Sequence, residues 1–205
     1  MLLLAIVVLL TSKLTSHQVE PATKWINSFA GPWIATLGPI NQCPGGRVGD
    51  IVRFNLLITQ FRHPSIDSQK MLQRLTGNVT VDEELTNKGA SILRFATRSN
   101  NQWKENALVL KFAIGCCRSL MDYFPGFTRN IYHLDPDDYQ KGGKPCVIPK
   151  DVYYADEEPV NWTIPKVPVL PYGLFRLQFS FDMGTESNPK RIGCFLTETT
   201  IHPRL

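Results

Sequence analysis

The chain has 205 residues, of which 43% are apolar, and its 22 Lys and Arg against 18 Asp and Glu leave a net charge of +4 at pH 7. That length suits one domain with a sizeable core. The basic residues are scattered among the acidic ones with no stripe interleaved with aromatics, which excludes nucleic acid as the expected partner and leaves only a weak attraction to an anionic membrane surface.

From the N-terminus, Leu2 to Leu10 form an unbroken apolar run followed by Thr11, Ser12, Thr15 and Ser16. This fits the core of a signal peptide and is too short to span a bilayer. Residues 1–16 are therefore read as the signal, with cleavage between Ser12 and Val19, and residues 17–205 as a single secreted domain. The rival reading, a buried strand, would have no turn before it.

Trp25 to Leu37 is mixed and interrupted by Pro and Gly, and Asn41 to Gly49 reads as a loop. A strand is expected over Ile51 to Phe61, where Val52, Phe54, Leu56 and Ile58 share one face. Further strands are expected at Asn78 to Leu85, Ser91 to Arg98 and Ala107 to Ile114, the last with Leu108, Leu110, Phe112 and Ile114 at every second residue. Asn87-Lys88-Gly89 and Ser99-Asn100-Asn101 supply turns.

One short helix is expected over Cys116 to Phe124, with Cys117, Leu120, Met121 and Phe124 at spacings of three and four, stopping at Pro125-Gly126. Eight of the fifteen prolines lie between Pro125 and Pro171, so extended or turning backbone is expected there. The strongest signal lies near the C-terminus. Phe175, Leu177, Phe179 and Phe181 alternate with Arg176, Gln178, Ser180 and Asp182, the period of a half-buried strand, and a partner strand follows at Arg191 to Ile201 after a turn through Gly184 and Pro189. The fold class is all-β: a two-sheet antiparallel sandwich or cup with one short helix.

The five cysteines, Cys43, Cys116, Cys117, Cys146 and Cys194, show no paired metal spacing, and in an exported chain they are expected as disulfides. Five is odd. Adjacent Cys116 and Cys117 point to different sides of their element, so one bonds elsewhere and the other is free and buried, or intermolecular. Asn78-Val79-Thr80 and Asn161-Trp162-Thr163 are glycosylation sequons, read as lying beside turns. No metal, cofactor or catalytic site is expected: the usual hydrolase and phosphate-binding motifs are missing. His17, His63, His133 and His202 are isolated, and Glu83-Glu84 and the Asp135, Asp137, Asp138 cluster read as solvated turns. In Tyr123-Phe124-Pro125-Gly126-Phe127 the aromatics form either an exposed rim or a lid packed on the core.

The order of features resembles the ML lipid-recognition superfamily. It rests on a cysteine before the first long strand, Trp103, the helix opening Cys116-Cys117-Arg118-Ser119-Leu120-Met121, the run Lys144-Pro145-Cys146 to Tyr153-Tyr154, then Ile164-Pro165 to Phe175-Arg176 and a last strand with Cys194. The nearest branch is the insect secreted proteins similar to the ganglioside activator, including the chemosensory CheB group. This resemblance implies a non-enzymatic cup holding a lipid or other long apolar ligand. Its wall is expected from Phe54, Leu56, Ile58, Leu108, Leu110, Phe112, Phe175, Leu177, Phe179 and Phe181, and its rim from Leu120, Phe124 and Phe127. It also implies bridges from Cys43 to Cys194 and from Cys116 or Cys117 to Cys146. The rival is a filled sandwich acting as a secreted modulator that touches a receptor or channel through its rim.

Overall fold

The computed structural model describes residues 29–44, 50–59, 72–141, 144–185 and 188–204. The expected signal peptide, His17, His63 and most of the 41–49 loop lie outside the described residues.

The first strands are short: β1 (Ala30–Gly31), β2 (Trp33–Leu37) and β3 (Asn41–Gln42). Four long ones follow, β4 (Val52–Ile58), β5 (Gln73–Val81), β6 (Ala90–Ser99) and β7 (Gln102–Phe112). In β4 burial alternates as its sequence demands, with Val52, Phe54 and Leu56 inside. The β6–β7 hairpin turns on Asn100 and Asn101 at φ of 50° and 60°, the left-handed pair that a two-residue hairpin loop requires and that Asn tolerates.

Three short helices succeed β7: α1 (Cys116–Tyr123), α2 (Pro125–Ile131) and α3 (Pro136–Lys141). This corrects the expectation of a single helix. Pro125 and Pro136 each stand at a first helical position, where the missing N–H has no partner to lose, so these prolines start helices instead of ending them. The last strands are β8 (Asp151–Val160), β9 (Leu170–Pro171), β10 (Gly173–Thr185) and β11 (Asn188–Pro203). β8 arose in the proline-rich stretch where no strand was expected. Among the described residues it is an outer strand paired only with β5, and there Pro159 is tolerated.

Two layers result. One runs β7-β6-β10-β11, with β2 and β3 added antiparallel along β11. The other runs β4-β5-β8 and meets the first at one parallel bridge, Gly193 with Val52. A Cβ at Gly193 would stand 2.7 Å from the Val52 Cβ, so glycine is what lets the layers touch. Between them Phe54 packs on Phe181 at 6.3 Å and Phe195 at 5.0 Å between ring centroids, giving an all-β sandwich.

The bridges are Cys43–Cys194 and Cys117–Cys146, with Cα atoms 5.7 and 5.8 Å apart, and Cys116 is a buried free thiol. Among the described residues no helix is long and apolar enough to cross a membrane, and no cluster of three or more metal-ligating side chains occurs.

Candidate functional site: an apolar cleft under the helices

The sandwich is closed where Val52 meets Gly193, and away from that bridge helices α1 and α2 and the segment 162–170 cover an open-mouthed cleft. Its floor is strand residues: Trp33, Ala35 and Leu37 of β2, Leu93 and Phe95 of β6, Leu177 and Phe179 of β10, and Phe195, Thr199 and Ile201 of β11. The residues on each strand are two or four apart, so the pleat aims them to one side. Leu120, Phe124 and Phe127 come from the helical side, Trp162, Ile164 and Leu170 from the following segment. The empty space is about 600 Å³ with the mouth included, but only about 50 Å³ of it admits the centre of a water-sized sphere. A single water needs ~10–15 Å³ on that measure, so the enclosed space is small, enough for a few waters.

Among the described residues no charged side chain lines it. Its side-chain polar groups are the Thr199 hydroxyl and two indole N–H groups. Thr199 Oγ1 donates to the Thr36 carbonyl at 3.1 Å and Trp33 Nε1 donates to the Val167 carbonyl at 2.8 Å. Beside the 162–170 segment Asp122 accepts from Lys166 Nζ at 2.7 Å and pairs with Arg118 Nε at 3.2 Å, while Lys166 sits 5.2 Å from the Tyr123 ring centre. These contacts tie α1 to the segment that supplies Trp162 and Ile164.

The residues expected as wall and rim are distributed unevenly. Leu177, Phe179, Leu120, Phe124 and Phe127 line the cleft together. Phe54 and Phe181 stack with each other away from it, and Phe175 packs edge-on against Phe95. Leu56 is buried in the shared core, whereas Ile58, Leu108 and Leu110 are partly buried against it. Phe112 lies against Tyr123 at 4.1 Å and Phe124 at 6.1 Å. Ile114 falls beyond β7 and is exposed. The segment 123–127 packs inward, Phe124 on Phe179 at 5.4 Å and Phe127 on Trp162 at 6.1 Å, and both still face the cleft.

Several lining residues escaped the sequence reading. Leu93 with Phe95, and Phe195 with Thr199 and Ile201, lie on expected strands at even spacing, so period two could have found them. Trp33 shares even spacing with Ala35 and Leu37, but in a stretch interrupted by Pro and Gly, and Trp162 and Ile164 lie in a short run between Pro159 and Pro165.

Of the sequon residues, Asn161 is exposed after β8, its Oδ1 accepting from Thr163 N at 3.1 Å. Asn78 does not stand at a turn. It lies inside β5 between Asn55 and Tyr154, on the side opposite buried Val79, because Gly77 marks a β-bulge and not a chain reversal. Scanned against models of known protein families the chain matches none, and a search of curated proteins likewise finds no match.

Proposed function

We propose that this protein is a secreted, non-enzymatic carrier of a slender apolar ligand such as a lipid chain. The observation that carries the reading is the open-mouthed cleft, walled by aliphatic and aromatic side chains from both strands and helices and, among the described residues, by no charge. Apolar walls with a few placed polar groups are the usual make-up of a small-ligand site. The resemblance to the ML lipid-recognition superfamily supports it, since the two bridges are pairings which that resemblance implies. Export is supported by the apolar N-terminal run, the two sequons and the disulfides. A chemosensory role, with the ligand an apolar signal molecule, follows from the resemblance alone.

A second reading has its own observation. Phe29, Val169 and Leu174 are 72%, 54% and 42% exposed about the β1–β9 pair, and such apolar surface suits contact with a receptor, channel or membrane. Native mass spectrometry of the protein from a eukaryotic medium, with organic extraction, separates the two. The carrier is expected to hold co-purified lipid and to bind the fluorescent probe phenylnaphthylamine. Ala35→Phe, which fills the floor of the cleft, is expected to weaken that binding at least ~10-fold, about 1.4 kcal/mol, without lowering the melting temperature. A preparation with no lipid and no probe binding at micromolar concentration would remove the carrier reading.

A further inference from the structure

The outer face of the β4-β5-β8 layer shows apolar side chains to solvent. Leu57 is 75% exposed, Tyr154 68% and Val152 38%, while their chain neighbours Leu56 and Tyr153 point into the core. The solvated face of an antiparallel sheet is ordinarily polar, so such a group of residues calls for something that covers it. Among them stands Asn78, which opens the sequon Asn78-Val79-Thr80. Asn78 pairs with Tyr154 on one side and Asn55 on the other, with Thr80 opposite Val152 and Thr76 opposite Leu57. Residues directly opposite in adjacent antiparallel strands point the same way with Cβ atoms about 4.5–5.5 Å apart, so the Asn78 amide and the Tyr154 ring rise side by side. Asn78 is half-buried, and its amide is not one of the sealed, unpartnered polar groups of the interior.

Building on the export part of the reading above, we infer that Asn78 carries an N-linked glycan whose first sugar lies over the Tyr154 ring and covers this apolar face. The modification transfers an oligosaccharide from a lipid-linked pyrophosphate donor. A bond forms between Asn78 Nδ2 and C1 of the first sugar, the bond from C1 to the pyrophosphate oxygen breaks, Nδ2 gives up one proton to solvent, and the lipid pyrophosphate leaves. A pyranose ring has one face of C–H groups and one of hydroxyls. The first suits the negative face of an aromatic ring and the second suits water, so the sugar answers both neighbours at once. Among the described residues none of β4, β5 or β8 lines the cleft, so a glycan here leaves the mouth clear.

The test uses the full chain expressed in a eukaryotic host and collected from the medium, where site-resolved mass spectrometry is expected to find the glycan on Asn78. Trimming it with an endoglycosidase that leaves one sugar should keep the melting temperature, because the first sugar makes the contact. Asn78→Gln should lower that temperature by about 2–4 °C, the scale of one ring contact in a domain of this size. Thr80→Val, which abolishes the sequon without touching Asn78, should do the same. In a Tyr154→Ser background both substitutions should change it by less than about 1 °C, and since each comparison is made within one background, any loss from Tyr154→Ser itself drops out. Equal changes in the two backgrounds, or a full loss on trimming to one sugar, would overturn the inference. Secreted protein with Asn78 bare would overturn it too and leave the export reading standing, whereas retention in the cytosol would overturn both.

Discussion

Cys116 and Cys117 open α1 side by side, and helical geometry turns adjacent side chains about 100° apart, so Cys117 reaches Cys146 while Cys116 is left a buried thiol. Burial, reinforced by the Asp182 carboxylate, pushes the Cys116 thiol from 9.0 up to about 12. Burial likewise raises Tyr132, and pushes Tyr153 up to about 12. For such groups the unfolded chain loses its proton at a pH where the folded chain keeps it. Stability is therefore expected to fall as pH rises above about 9, with each group contributing at most ~1.4 kcal/mol per pH unit. Urea midpoints measured from neutral to alkaline pH check this, and Cys116→Ala should flatten the part of the decline that begins near 9. Iodoacetamide should leave Cys116 unmodified in the native protein and label it after unfolding; rapid native labelling would contradict its burial.

At the scale of elements, α1 and α2 share Phe124. Its N–H donates to the Leu120 carbonyl at 3.0 Å to end one helix, and its own carbonyl accepts from Thr128 N at 2.9 Å as the next begins. Thr128 Oγ1 closes the junction with bonds to both Leu120 and Phe124 carbonyls at 3.0 Å. The backbone thus fixes Phe124 over the cleft, where its ring meets Phe112 and Phe179. Being only half-buried, it should matter less to stability than Phe181, which is fully buried. Phe124→Ala is expected to lower stability by about 1–2 kcal/mol and Phe181→Ala by about 3–5 kcal/mol in urea unfolding. Phe124→Ala should also speed release of phenylnaphthylamine in stopped-flow mixing, because it widens the helical side of the cleft. Equal release rates in variant and wild type would show that Phe124 does not guard the mouth.

Over the whole molecule, the two disulfides restrain very different lengths of chain. Cys43–Cys194 spans 151 residues and Cys117–Cys146 spans 29. In the chain-entropy model these loops correspond to about 5 and about 4 kcal/mol of stabilisation. The long bridge fastens the chain just after β3 to β11 near the Gly193–Val52 contact, within one layer; the short one fastens α1 to the 144–150 segment. Replacing Cys43 and Cys194 together by Ala should lower the melting temperature more than replacing Cys117 and Cys146. The reverse order would mean that local packing around α1, and not loop closure, dominates.

Alternation in β4 and β10 was legible residue by residue, because a pleated strand with one buried face must repeat every second position whatever it packs against. The same holds for the Asn100-Asn101 hairpin, where the chemistry of the turn is local. The all-β class and the presence of disulfides therefore followed from the sequence itself. Which apolar stripe would face empty space did not. Phe54 and Phe181 look like Leu177 and Phe179 in the sequence, yet the first pair fills the closed region near Gly193 and the second lines the cleft, because the separation of two layers is set by contacts between residues far apart in the chain. The helices α2 and α3 were hidden for a related reason: a proline forbids a helix only where an N–H is needed, and at Pro125 and Pro136 none is. Trp162, in a stretch without periodicity, acquired its place only when the 162–170 segment folded across α1, which only the tertiary structure could decide.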